Sequence, residues 1–291
     1  MSSDLFLQAT ANALSLSALY GMLGLSFGLI YSTTRVLHFA HGGIYVLASY
    51  AFFGAYIAAD LPLPVSVIAT TICAGLLGVA AMRYFYRPLL ERSASQAVVM
   101  IASLGLYTAI ENVVILVFGS DSRVVSKAAV ERGLSFGGVY LAPLQLVMMV
   151  TAVAAFAAVY LLLTRTRLGH ALRGVAEDSG MAEIVGIDVK RLQDLAFLIG
   201  SLLLGIAAVL VSLDVGLSPR AGLNVVLIAT VAAITGGATN PFSGAVGGAL
   251  IGFVQSFGVI WIDPRWQNLL IFGALLAVVL VRPSGLLSNA R

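Results

Sequence analysis

The chain has 291 residues, 60% of them hydrophobic and only 10% charged, with a formal net charge of +3. A soluble domain carries about 25% charged residues, so this chain lacks the charge to cover a water-facing surface, and a soluble globular domain is excluded. Its basic residues are scattered rather than massed, which excludes a nucleic-acid face, and its single cysteine, Cys73, excludes an internal disulfide or a cysteine-based metal cluster.

Apolar runs that reach or approach the roughly 20 residues needed to cross about 30 Å of hydrocarbon as a helix recur along the chain. Nine membrane segments are predicted, near residues 10–31, 39–58, 63–82, 97–118, 143–163, 194–213, 223–237, 243–261 and 267–281. The expected fold is an all-α polytopic transmembrane bundle of about 8–10 segments, forming one transmembrane domain over residues 1–291. The first basic residue is Arg35, so the positive leader of a cleavable signal is missing and the first segment is expected to be retained. Within it Gly24 and Gly28 have the small-xxx-small spacing of a helix contact face, and helix packing is also expected of Gly75 and Gly78.

The stretch RVLHFAHGGIY, residues 35–45, stands out as polar between two apolar segments. His38 and His41 are three apart and share a helix face. Three readings follow. A metal site needs about three donors, and the other candidates are the distant His170, Glu111 and a boundary Asp214. A serine nucleophile lacks the Gly-x-Ser-x-Gly elbow. The third reading is a helix broken at Gly42-Gly43, whose exposed backbone and polar neighbours must face protein or a water-filled cavity. On that reading His38, Phe39, His41, Gly42 and Gly43 line a solute route.

Farther along, Glu111-Asn112 sits in mid-segment, where an acidic group must face a bundle interior or water. It lines a cavity or makes a polar contact with another helix. Residues 164–193 then form a long loop dense in both charges. In it Leu168, Leu172, Val175 and Ala176 recur at helical spacing, Gly180 interrupts the pattern, and Met181, Ile184 and Val185 begin a second apolar face. One or two short amphipathic helices on the membrane surface are expected. The seventh and eighth segments are short and flank GGATNPFSGAVGG, residues 236–248, so they read as half-crossings. Corresponding glycine-broken segments in two halves mark transporter sites. This pairs the later stretch, with Gly236, Gly237 and Asn240, with residues 35–45 as a possible inverted repeat.

The basic residues set the orientation. With the N-terminus outside, the inner loops hold Arg35, Arg83, Arg87, Arg92, Arg165, Arg167, Arg173, Lys190, Arg191, Arg282 and Arg291, eleven of the 16. Arg123, Lys127, Arg132, Arg220 and Arg265 fall outside. The C-terminus is therefore expected in the cytoplasm.

With these residues in view, the chain resembles the permease subunits of branched-chain amino acid ABC importers, over nearly its whole length. The stretches that carry the resemblance are HFAHGGIYVLASY at 38–50, RPLLERS at 87–93, GHALRGVAED with AEIVGID between 169 and 188, and GGATNPFSGAVGGALIG at 236–252. The resemblance implies a bacterial inner-membrane protein without an enzymatic site or cofactor of its own. It also implies a second, related permease subunit, two cytoplasmic ATPases that bind the ATP, and an extracytoplasmic solute-binding protein. It further implies that the 164–193 loop docks into the ATPases. AEIVG keeps the Ala, Glu and Gly of the coupling motif, and this singles out Gly169, Leu172, Arg173, Glu177, Ala182, Glu183 and Gly186. No Walker A motif is present, so ATP hydrolysis belongs to another chain.

The implied cargo is hydrophobic amino acids, with urea and short amides as alternatives within the family. Two other classes stay open on the sequence. An intramembrane enzyme would use His38, His41 and Glu111. A passive channel would not need the charged loop, so deleting residues 169–186 should leave a channel active and kill an ATP-driven importer.

Overall fold

The computed structural model describes residues 3–125, 133–136, 139–237, 240–283 and 285–287. Lys127, Arg132 and Arg291, used above to orient the chain, lie outside these, as do residues 238 and 239 of the later glycine stretch.

The described residues are organised as an all-α polytopic helical bundle. Helix α1 (Ser3–Thr34) runs 32 residues and ends where its hydroxyls turn back on its own backbone. Ser32 and Thr33 donate to the carbonyl of Leu29, and Thr34 donates to that of Ile30. Such back-bonding weakens helix continuation. The chain leaves the helix at Arg35, whose φ of 55° is left-handed.

Helix α2 (Ala40–Phe53) continues as a π-helical turn, Gly54–Ala58. Helix α3 (Leu63–Ala80) starts with Pro64 in its first turn and passes through a π turn, Ala81–Tyr86, into α4 (Arg87–Glu91). Proline is tolerated there because first-turn N–H groups have no helical partner. Helix α5 (Gln96–Phe118) is capped by the Ser95 hydroxyl and stops at Gly119, φ 86°. A short antiparallel pair, Leu134–Phe136 with Val139–Leu141, precedes α6 (Pro143–Arg165).

Then come α7 (Arg167–Glu177), α8 (Ser179–Ile184) and α9 (Val189–Asp214). The last helices are α10 (Ala221–Gly236), α11 (Ser243–Gly258) and α12 (Gln267–Val281), the last preceded by a 3-10 turn.

Among the described residues six helical stretches are long and apolar enough to cross a membrane: Leu5–Thr34, Leu63–Glu91, Gln96–Phe118, Pro143–Arg165, Val189–Asp214 and Pro264–Val281. The other three predicted segments are helices of 14, 16 and 16 residues, α2, α10 and α11.

The chain divides into two compact units. One comprises residues 1–28, 128–159 and 228–291. Here α1 and α11 meet through glycines. A side chain on Gly24 would strike the carbonyl of Gly244, and one on Gly244 that of Gly24. Gly248 lies as closely on Tyr20, and Gly252 on Ser17. This is the small-residue packing expected of Gly24 and Gly28, and it suits a solvent in which apolar side chains gain nothing by leaving lipid.

The second unit comprises residues 29–127 and 160–227. Its centre is α3 on α9, where Gly75 rests on Leu198 and Leu202, and Gly205 on Ala74. Asp194, buried near the start of α9, is bound by Arg83 at 2.7 Å and by Arg87. Asp194 thus joins Glu111 and Asp214 as a carboxylate at membrane depth, at a position its sequence neighbours do not single out. Two guanidiniums compensate a charge that would be costly alone. At another edge of this unit Arg123 donates to the carbonyl of Phe118, and its guanidinium lies 5.1 Å from the Phe53 ring centroid.

Candidate functional site

The break expected at Gly42-Gly43 lies earlier. Residues 35–39 leave the helix, whereas both glycines sit inside the first turn of α2. Their role is close approach rather than flexibility. A Cβ on Gly42 would strike the carbonyl of Gly222 in α10, and one on Gly222 would meet Gly42 O at 2.5 Å and Tyr107 at 2.9 Å. A Cβ on Gly43 would press on Ile110 of α5 at 2.9 Å. Glycine signals both a flexible backbone and a tight crossing, and the sequence does not distinguish them. The non-helical residue that marks the break is Arg35, where a side chain in the left-handed region costs about 1 kcal/mol.

The histidines do not face an open cavity either. His38 and His41 are both 0% exposed. Their rings stand edge to face, 5.3 Å apart, and the His38 ring also packs on Phe197 at 4.8 Å. His38 Nδ1 shares a 2.7 Å hydrogen bond with the Tyr86 hydroxyl, and that hydroxyl shares one of 2.6 Å with Ser103 Oγ. Ser103 Oγ in turn accepts the N–H of Ala40, at 3.0 Å, at the very start of α2. A chain of hydrogen bonds thus pins the entry to α2 against the π turn that follows α3 and against α5.

Tyr86 and Ser103 went unnoticed in the sequence because they lie 48 and 65 positions from His38 in apolar runs, one in "RYFYRP" and the other in "IASLG". We predict that Tyr86→Phe, which leaves His38 Nδ1 without this partner, costs about 1–3 kcal/mol. It should lower the thermal midpoint of the purified protein by several degrees, whereas Tyr84→Phe, on an 81% exposed ring, should leave the midpoint unchanged.

Glu111 is half-buried on α5, one helical turn beyond Tyr107. The Tyr107 hydroxyl bonds Glu111 and also accepts the backbone N–H of Leu223, at 3.0 Å, in the first turn of α10. Tyr107 thereby satisfies one of the N–H groups that a helix start leaves without an internal partner. Glu111 thus belongs to the α2–α5–α10 junction that Gly42, Gly43 and Gly222 hold tight. Phe39 is half-buried beside the break.

Gly236, Gly237 and Asn240 lie in the other unit and form the α10–α11 turn. Gly237 has φ 122°, the Asn240 side chain accepts the N–H of Phe242 at 3.0 Å, and Ser243 Oγ donates to the carbonyls of Gly237 and Asn240. The same unit contains a groove of about 470 Å³, lined by residues that include Leu14, Ser17, Met22, Met149, Phe156 and Phe253. The Ser17 hydroxyl is already given to the carbonyl of Ala249. This lining suits an apolar chain and offers nothing to the charged ends of a zwitterion.

The expected surface helices are α7 and α8. Thr166 caps α7 through the N–H of Gly169 at 3.0 Å, and Asp178 caps α8 through that of Met181 at 3.0 Å. The break between them is therefore at Asp178, and Gly180 lies inside α8. Gly169 lets α7 fold back on the end of α6, since a Cβ there would strike Leu162 and Leu163. Leu172, Val175, Ala176 and Ala182 are buried against the chain, while Leu168 is turned outward. Arg173, Glu177, Glu183 and Gly186 are exposed, and Gly186 has φ 85° in the turn after α8. Met181, Ile184 and Val185 are 57, 80 and 67% exposed. The expected second apolar face exists, but it points away from its own chain.

The family described as "Branched-chain amino acid transport system / permease component" matches residues 9–280. The chain belongs to that family. Its relatives include the high-affinity branched-chain amino acid transport system permease protein BraD of Pseudomonas aeruginosa, 28% identical, with 98% of this chain and 96% of that one covered. LivH of Escherichia coli, of the same description, is 26% identical over 98% of this chain and 96% of its own. A probable LivH of Methanocaldococcus jannaschii is 27% identical over 92% and 86%. Among solved structures, PsaBC from Streptococcus pneumoniae in complex with Fab shares the fold, with a TM-score of 0.52 at 15% identity, covering 94% of this chain and 91% of that one.

Proposed function

We propose that this chain is the permease subunit of an ATP-driven importer that carries branched-chain and other hydrophobic amino acids across the bacterial inner membrane. The family match over residues 9–280, and relatives named as branched-chain amino acid transport permeases, support the reading. The geometry that carries it is the α7–α8 pair, buried along one side and presenting an unpartnered apolar tip of Met181, Ile184 and Val185. An apolar tip flanked by the exposed Arg173, Glu177 and Glu183 is a docking surface for another protein. The partner is a pair of cytoplasmic ATPases. The N-terminus lies outside and the C-terminus in the cytoplasm, which puts α7 and α8 on the ATP side. A second, related permease subunit completes the membrane part, and an extracytoplasmic binding protein delivers the solute.

On this reading the chain performs no chemistry on its cargo. ATP binding and hydrolysis in the partners shift the permease between two states of different stability, and solute moves because it meets a different access in each. Of the residues expected along the route, Phe39, Glu111 and Asn240 keep accessible surface; Phe39 and Glu111, in the unit that holds the break, are the ones offered to a solute. His38, His41, Gly42 and Gly43 hold the wall behind them, and Gly236, Gly237 and Asn240 hold the α10–α11 turn.

The reading is tested by reconstituting the permeases with their ATPases and binding protein in proteoliposomes. Uptake of labelled leucine should require ATP and should be competed by isoleucine and valine. Competition by urea or acetamide instead would move the cargo to the amide branch, and uptake without ATP would reject the importer.

A further inference from the structure

The four residues between α1 and the Phe39–Ala40 start of α2 are tied down at both ends, and the two ties lead to different places. At the far end His38 is locked to Tyr86, and through Tyr86 and Ser103 to α2 itself. At the near end Arg35 reaches out of the break. Its guanidinium donates a 2.9 Å hydrogen bond to the carbonyl of Ala176, in the last turn of α7. Its own carbonyl accepts from Gln96 Nε2 at 3.3 Å, at the first residue of α5.

The Ala176 carbonyl is one of those a helix end leaves without an internal partner, and a cation is the favoured group to meet it. Arg35 is thus a C-terminal cap for α7 supplied by the break in the membrane bundle. Only Asp178 separates α7 from α8, and Asp178 is itself the cap of α8. No slack stands between the exposed tip of α8 and the Arg35 contact. The left-handed backbone at Arg35 shows that the surrounding contacts over-determine its position, as is common at switch regions.

We propose that Arg35 is a transmission residue, through which movement of α7 and α8 is delivered to the α1–α2 break. The inference rests on the reading that α7 and α8 receive the ATPases. It adds to that reading the one side chain that carries the motion into the bundle. His38 and Tyr86 form the fixed end, so a pull on Arg35 is taken up by residues 35–38, at the entry to α2. Arg35 acts through other groups and need not touch solute.

The test uses the complete reconstituted transporter and reads solute transported per ATP hydrolysed, beside the amount of ATPase bound. R35M keeps the aliphatic stem and removes the donors. R35G removes the donors and also relieves the left-handed backbone. R35K keeps a cation. Both R35M and R35G should bind ATPases as the wild type does and hydrolyse ATP, but transport roughly fivefold or more less solute per ATP, the lower end of ordinary coupling free energies. R35K should recover part of the loss.

An unchanged ratio of solute to ATP in R35M and R35G overturns the proposal. So does a loss in R35M that R35G restores, because the backbone and not the guanidinium would then matter. Loss of bound ATPase in R35M and R35G alike would make Arg35 a docking group and would also overturn it. Failure of the wild-type complex to bind ATPases would reject the importer reading itself, a different result in the same assay.

Discussion

Gly42→Val should abolish recovery of folded protein. In this variant the new Cβ falls on the carbonyl of Gly222, which belongs to a helix backbone and cannot rotate away as a side chain tip can, and the methyls add further bulk. Overpacking of a core costs typically about 1–3 kcal/mol when side chains can adjust, and here α2 and α10 must separate. Separation would also disturb the hydrogen bond from Leu223 N–H to Tyr107 and the seat of Gly43 on Ile110. Gly42→Ala should be intermediate, with a lower thermal midpoint and a smaller monodisperse fraction on size exclusion. The controls are Gly105→Ala and Gly273→Ala, in helices α5 and α12, where a Cβ meets nothing within 4 Å. Both should match or exceed the wild type, since alanine favours a helix by about 1 kcal/mol over glycine. A Gly42→Val protein as stable as the controls would show that α2 and α10 do not cross as described.

The second large effect is expected at the tip of α8. Replacing Met181, Ile184 and Val185 together by serine should leave the isolated permease as stable as before, because all three side chains are mostly exposed. Binding of the ATPases should weaken by about 100-fold or more. Fully burying such a side chain contributes roughly 1.5–3 kcal/mol, and each 1.4 kcal/mol is about tenfold in affinity. ATP-driven uptake should fall with it. A triple variant that binds ATPases normally would remove α8 from the docking surface. One that fails to fold would mean that these residues are buried in the permease.

The parts of the structure that were legible in the sequence are those coded locally. Helices α7 and α8 follow from apolar spacing at Leu172, Val175 and Ala176, whereas the caps at Thr166 and Asp178, and the break at Asp178 rather than Gly180, became visible only in the structure. Their orientation was harder to read. Leu168 has the right spacing and still points outward, because Gly169 folds α7 onto Leu162 and Leu163, which spacing does not reveal. The short α10 and α11 were visible from the glycine and proline between them.

The misplaced break has a physical cause. Gly42-Gly43 is the conspicuous signal, but in a membrane bundle small residues are also how backbones touch. The actual break is coded less visibly, by three consecutive hydroxyl residues, Ser32 to Thr34, that bond back to α1, and by the Arg35 that follows. The histidines were correctly singled out as unusual, but their meaning depends on Tyr86 and Ser103, which only the packing of α3 and α5 brings near. Among the described residues no group of three or more His, Cys, Asp or Glu side chains gathers as a metal site would require. The polarity of the stretch goes instead into an internal hydrogen-bonded strut.

The central claim is that this chain works as one subunit of an ATP-driven importer. The most direct measurement is co-purification of the tagged chain from its native membranes in a mild detergent, with the accompanying chains identified and counted by mass. Two ATPase subunits and one related permease in fixed proportion are the predicted result. A protein that emerges alone from cross-linked as well as untreated membranes, whether metal-free or with stoichiometric zinc or iron, would contradict it.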